Sequence, residues 1–231
     1  MHETEQAGPI LAIGAHPDDT EFSAGGSIAL FTAAGRRVSY VVCTDGSKGS
    51  KDRSIAQTDL IARRKVEQRS AARVLGVTDI LFLDQVDGEL ENNRQVRLRI
   101  AKRIRELRPS VILTHDAWKP WMLHPDHRAC GLAVTDSFVA ARDHLYLPEL
   151  ESQGLEPWEV PELWLWSTET PDHVVDITDT MDTKLSAIKS HISQVDDPVY
   201  IDKRMRDAAH DMGSAAGFSF AEGFKRLIPH H

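Results

Sequence analysis

Two short segments of the sequence carry residue types that can do chemistry: His16-Pro17-Asp18-Asp19 and His124-Pro125-Asp126-His127. Each comes just after a short apolar run, where a strand would give way to a loop. A catalytic zinc ion takes three protein ligands and leaves a position for water. His16, Asp19 and His127 can supply two imidazoles and one carboxylate, and positions three apart on a turn can converge on one ion. A dication faced by one carboxylate leaves the site net positive, which lowers the pKa of a bound water and polarises a carbonyl. Asp18 sits beside a ligand but points elsewhere, so it is the candidate to take the water proton. His124 is left over. As an imidazolium it would stabilise an oxyanion and protonate a leaving amine. The prolines fix φ in both segments. Fe(II) or Co(II) would suit the same donor set as zinc.

For these segments to meet, the chain must bring their strands side by side. Pro9–Ala15 is almost wholly apolar, as strands buried on both faces of a parallel sheet are. Ala24, Ile28 and Phe31 fall at helical spacing, and Gly35 ends that stretch. Val38–Cys43 is a second strand, followed by a polar loop over 44–58. A helix over 59–75 closes at Gly76, and Ile80–Leu83 is the third strand. Val96, Ile100, Ile104 and Leu107 mark one face of an amphipathic helix stopped by Arg108-Pro109. Ser110–Thr114 is the fourth strand, with a helix from about His124 to Asp143. Strand–helix alternation implies a doubly wound, mainly parallel α/β sheet with helices on both faces. In strand order 3-2-1-4 the first and fourth strands are neighbours where the order reverses, the place where such sheets bind ligands. The segment 147–161 reads as a connection or flap. Leu163–Trp166 and His173–Asp176 are further strands. Met181, Leu185, Ile188 and Ile192 mark a last helix capped by Thr178 or Asp179. No linker or repeat divides residues 1–231, so a single domain is expected.

Composition narrows the function. The chain has 231 residues, 41% hydrophobic and 27% charged, with 11 histidines. Acidic residues outnumber basic ones 35 to 27, for a formal charge of −8, which argues against nucleic acid as a partner. No apolar run approaches the ~18 residues that cross a bilayer, and the polar N-terminus is not a signal peptide. Cys43 and Cys130 are far apart and read as small core residues of a reduced, cytoplasmic protein. His230 and His231 are set aside as native residues or the start of a tag. Gly25-Gly26 lacks the glycine pattern of a dinucleotide site and reads as close helix packing. Arg97, Arg99, Arg103 and Arg105 read as a solvated helix face.

The stretch Ala15-His-Pro-Asp-Asp-Thr-Glu-Phe-Ser-Ala-Gly-Gly26 resembles the signature of the PIG-L/LmbE-like family of zinc-dependent N-acetylglucosaminyl deacetylases. Thr44-Asp-Gly46, Arg64 to Gly76, Phe82 to Asp87, Arg108-Pro109, His124 to His127, Lys184 to Gln194 and Ala221 to Phe224 follow in the family's order. The resemblance implies a Rossmann-like fold and removal of an acetyl group from an N-acetyl amino-sugar conjugate. It makes His16, Asp19 and His127 the zinc ligands, Asp18 the general base and His124 the oxyanion or acid histidine. Arg64 and Asp87 fall where family members contact sugar hydroxyls. Family members often assemble, so a homo-oligomer is compatible with the resemblance.

Other residues have two readings. Trp121, with Trp118, Pro120 and Met122, offers an aromatic face for a sugar ring or a packed loop. His191 would line the entrance or cap a helix. His115 and Asp116 would orient a ligand histidine or belong to the loop. Lys48, Lys51 and Arg53 would form a lid, an anion contact or a wet surface. The chain is shorter than mycothiol-pathway members, which leaves the substrate open: an amidase for a larger amide or thiol conjugate, or a non-catalytic metal-dependent sugar binder, are the alternatives.

Overall fold

The computed structural model describes residues 8–229; the N-terminal Met1 to Gln6 stretch and the terminal His230 and His231 lie outside them. In chain order the elements are β1 (Ile10–Gly14), α1 (Asp19–Ala33), β2 (Val38–Thr44), α2 (Gln57–Val74), β3 (Asp79–Gln85), α3 (Arg94–Leu107), β4 (Val111–His115), α4 (Pro125–Arg142) and the single turn α5 (Pro148–Glu151). Then come β5 (Glu162–Trp166), β6 (His173–Asp176), α6 (Met181–Lys189), α7 (Pro198–Ser214) and β7 (Ala221–Leu227). The sheet order is β3-β2-β1-β4-β5-β7-β6, parallel through β5, with β7 antiparallel to both its neighbours. The order reverses between β1 and β4, which pair from Ile10 with Val111 to Ile13 with Thr114. Both His-Pro-Asp segments therefore leave the same edge of the sheet from adjacent strands.

Alternate strand residues feed two cores, as a period of two requires. Leu11, Ile13, Val41 and Ile112 pack with Ile100 and Ile104 of α3 and Val134 of α4. Ile10, Ala12, Tyr40 and Leu113 pack on the other face with Ala24 and Ile28 of α1 and Ala71 and Leu75 at α2. Asn93 caps α3 by accepting the Val96 N–H at 3.0 Å. Cys43 and Cys130 are both buried free thiols.

Several expectations need correction. The helix expected to reach Ile192 stops at Lys189, and neither Thr178 nor Asp179 caps it: Thr180 is its N-cap, without a side-chain bond. A further helix, α7, and a further strand, β7, follow it. The segment over 147–161 is a packed connection, with Leu147, Leu150 and Val160 buried in the core and the Trp158 indole N–H on the Pro109 carbonyl at 2.8 Å. Arg105 is inside the protein; its guanidinium donates to the carbonyls of Ala140, Ala141, Asp143 and Leu155. These include the last carbonyls of α4, which have no partner within their own helix. Gly26 serves helix packing as expected, since a Cβ there would sit 2.7 Å from the Ile177 side chain. Among the described residues no helix is long and apolar enough to cross a membrane.

Candidate active site

His16 follows β1, Asp18 is the N-cap of α1, Asp19 opens that helix, and His124 is the N-cap of α4 with His127 in its first turn. The structure brings His16, Asp18, Asp19, Arg64, Asp87, His124 and His127 to one hollow of about 450 Å³. The three expected ligands face one another. His127 Nε2 lies 3.2 Å from His16 Nδ1, His16 Nδ1 lies 3.4 Å from Asp19 Oδ2, and His127 Nε2 lies 3.3 Å from Asp19 Oδ1. Each separation is close to the ~3.3 Å between tetrahedral ligands at zinc–nitrogen distances of ~2.0–2.1 Å, with His16 and His127 approaching different oxygens of Asp19. Among the described residues, the triplets that could hold a metal ion are His16 with His124 and His127, Asp19 with His115 and His127, and His16 with Asp87 and Asp126.

The charges around it also suit a cation. His16 Nε2 meets Asp126 Oδ2 at 2.9 Å and Asp87 Oδ1 at 3.3 Å. Burial works against its protonation, but Asp126, Asp19 and Asp87 outweigh burial and push it up to about 12. With Nε2–H given to Asp126, Nδ1 is the nitrogen that a metal would take, displacing its proton. Burial also acts to raise Asp19, yet His115, His127 and His16 hold its carboxyl well below the usual range. Asp126 is anchored by the N–H groups of Gly88 at 2.6 Å and Leu90 at 3.1 Å.

Asp18 stands outside this ligand set. Its backbone adopts φ 109°, ψ −28°, a conformation rare for a residue with a Cβ. Its N–H donates to Gln68 Oε1 at 2.8 Å, and Arg64 Nη2 donates to its Oδ2 at 3.1 Å. Burial raises its carboxyl to about 6, with Arg64 opposing and Asp19 adding to the rise. A base near neutrality is suited to proton transfer. Partial burial and the neighbouring His16 and His127 lower the pKa of His124.

The remaining site residues divide. Asp87 lines the hollow and is lowered to about 2, burial being outweighed by His16 and the Lys48 backbone. Arg64 lines it too, but it is 3% exposed and gives donors to the Pro17 and Gly46 carbonyls as well as Asp18. Trp121 is 89% exposed and does not line the hollow, because its loop turns it outward. His191 does not line it either: it is fully buried, with Nε2 3.3 Å from Glu21 Oε2. His115 reaches the ligand carboxylate rather than a ligand histidine nitrogen, with Nε2 3.1 Å from Asp19 Oδ2, while stacking on the His127 ring at 4.3 Å. Asp116 accepts the Trp118 N–H in its own loop. Lys48 pairs with Glu89 at 2.8 Å. Sequence reasoning passed over Asp126, although it sits inside the second motif, and Gln68, which no local pattern marks.

A histidine–carboxylate cluster, with a separate aspartate beside it, lies at the switch point of a doubly wound sheet. Residues 11–138 match the PIG-L family, described as GlcNAc-PI de-N-acetylase. Diacetylchitobiose deacetylase of Thermococcus kodakarensis is 36% identical over 223 residues, covering 95% of this chain and 83% of that protein. A probable N-acetyl-alpha-D-glucosaminyl L-malate deacetylase 2 of Bacillus cereus is 31% identical over 192 residues, covering 81% and 84%. The structure of N,N'-diacetylchitobiose deacetylase from Pyrococcus horikoshii, complexed with its inhibitor MPG, superposes with a TM-score of 0.92 at 34% identity, covering 97% of this chain and 85% of that one. The chain belongs to the PIG-L family, and by class it is a de-N-acetylase.

Proposed function

We propose that this protein removes the acetyl group from an N-acetylglucosamine-type conjugate, with a zinc ion held by His16, Asp19 and His127. The observation that carries the reading is Asp18, a carboxylate bound by Arg64 beside a cluster in which His16, Asp19 and His127 approach one another at 3.2–3.4 Å. When bound, the ion would polarise the acetyl carbonyl and make the water beside it more acidic. Asp18 accepts the water proton as oxygen adds to the carbonyl carbon. Arg64 holds its Oδ2 while this happens. Asp18 then returns the proton to the amide nitrogen as the C–N bond breaks, and acetate and a free amine leave. His124 offers a ring N–H to the oxyanion. Asp126 keeps the His16 ring in the tautomer that presents Nδ1.

Beyond the catalytic hollow lies a second one of about 590 Å³, which shares Lys48, Gly49 and Gln194 with it and continues past Lys51, Ile55 and Ile192. A single sugar would leave this second hollow empty, which supports a conjugate or disaccharide over free N-acetylglucosamine. The two relatives named for diacetylchitobiose support the same choice. The test is acetate and free-amine release from zinc-reconstituted protein across N-acetylglucosamine, N,N'-diacetylchitobiose and larger N-acetylglucosamine conjugates. Equal acetate and amine from the larger substrates is the expected result. Amine without acetate would point to a larger amide, and no product with metal bound would leave only a binding protein.

A further inference from the structure

The buried residues behind Asp18 form a chain of hydrogen bonds that the reaction scheme does not use. Gln68 on α2, Glu21 on α1 and His191 after α6 are all fully buried. Gln68 Oε1 accepts the Asp18 N–H at 2.8 Å, Gln68 Nε2 donates to Glu21 Oε1 at 2.8 Å, and Glu21 Oε2 meets His191 Nε2 at 3.3 Å. The turn that carries His191 is itself tied down: Ser193 N–H and Oγ reach Glu67 at 2.9 and 2.5 Å, and Gln194 Nε2 donates to the Gly49 carbonyl at 3.0 Å.

We propose that Gln68, oriented by Glu21 and His191, is the positioning residue that fixes the Asp18 backbone and so aims its carboxylate. A glutamine amide can face either way, because its oxygen and nitrogen ends are nearly the same shape. Glu21 Oε1 accepts from the Gln68 nitrogen, which leaves the amide oxygen, the end Asp18 needs, toward the Asp18 N–H. His191 and the Thr20 hydroxyl, each at 3.3 Å, hold the other Glu21 oxygen and stop that carboxylate from turning away. Asp18 sits at φ 109°, a conformation that persists only when the surroundings over-determine it. The Gln68 bond acts on its N–H, while Arg64 acts on the Pro17 carbonyl and on the Asp18 side chain. Displacing a reacting group by about 1 Å costs on the order of 100-fold in rate. The His191-x-Ser193-Gln194 motif thus serves the base from behind.

The inference rests on Asp18 being the base, and the test separates the two. Gln68→Met removes both amide contacts at similar size. It should lower kcat roughly 10- to 100-fold while KM stays within about twofold and the zinc content remains that of wild type. Gln68→Glu alone sets two carboxylates face to face and should also be slow. The exchanged pair, Glu21→Gln with Gln68→Glu, rebuilds the pattern. The carboxylate now on α2 accepts from the Asp18 N–H and from the amide nitrogen now on α1, whose amide oxygen faces His191. The pair should recover most of the kcat lost in Gln68→Glu. A Gln68→Met enzyme with wild-type kcat, or an exchanged pair no faster than Gln68→Glu, would overturn the proposal, the second whether or not Gln68→Met folds. Asp18→Asn is the control. If that variant turns over normally, the reading of Asp18 as base has failed; if it is dead while Gln68→Met is unaffected, only the relay has failed.

Discussion

Asp18 and Asp19 are adjacent aspartates with opposite fates, and the difference is in what surrounds each. Asp19 faces His115, His127 and His16 and is held ionised, ready to bind a cation. Asp18 lies in a buried place that raises it, with the Arg64 guanidinium only partly offsetting the rise. Asp18→Asn should therefore cost about 10²–10⁴-fold in kcat with metal content unchanged, whereas His127→Ala should lose the metal itself, as plasma emission on the purified variants would show. Gly49 is a sharper test of geometry. A Cβ at that position would overlap the Arg64 guanidinium, so Gly49→Ala should displace Arg64 and lower kcat about 10-fold or more without melting the fold. An alanine variant of wild-type rate would show that Arg64 need not lie where it does. The residues proposed as ligands and base are legible in the sequence because both motifs are compact and come after strands. Gln68 and Glu21 are not, since each is an ordinary polar helix residue until α1 packs against α2.

Elements were readable where a local period survives. α3 announces itself by Val96, Ile100 and Ile104, all buried as the spacing requires. β7 does not: Glu222, Gly223, Lys225 and Arg226 interrupt it, and its partners are antiparallel strands toward the sheet's outer side rather than a doubly covered interior. That pairing carries a pH signature. Glu162 of β5 binds Arg226 of β7 at 2.8 Å through Nε, and this bond lowers the Glu162 carboxyl against the opposing pull of burial. A folded-state pKa below the unfolded one means the stabilisation is present above about pH 4.5 and lost as pH falls through the folded value. Glu162→Gln should thus narrow its stability gap to wild type between pH 5 and pH 3, read as Tm against pH. A gap that stays constant would show the pair to be inert. Arg105 is the reverse lesson: four arginines on one helix read as a wet face, but one of them supplies the donors that α4's end lacks.

Across the whole molecule, the His/Asp cluster joins the start of α1 to the start of α4, so its charge balance is a matter of global stability. The site gathers Asp19, Asp87 and Asp126 around His16, a surplus of carboxylate that a cation would offset. A metal at 100 times its Kd stabilises by ~2.7 kcal/mol, and ~2–4 °C per kcal/mol for a chain of this size makes the expected loss in Tm on chelation roughly 5–10 °C. An unchanged Tm, measured with and without chelator on protein of known metal content, would count against a built site. The strand order 3-2-1-4 was legible because βα alternation allows few other routes; the outer half of the sheet was not, because its order departs from the order of the chain. That departure bears on truncation. Among the described residues β6 pairs with β7 alone, and β7 sits between β5 and β6. Glu222 of β7 also accepts the Gly26 and Ser27 N–H groups and the Lys184 ammonium in the interior. Without residues 221–227, β6 has no neighbouring strand, so a stop codon shortly before Ala221 would strip the sheet of two strands instead of one and leave the Lys184 ammonium without its Glu222 partner.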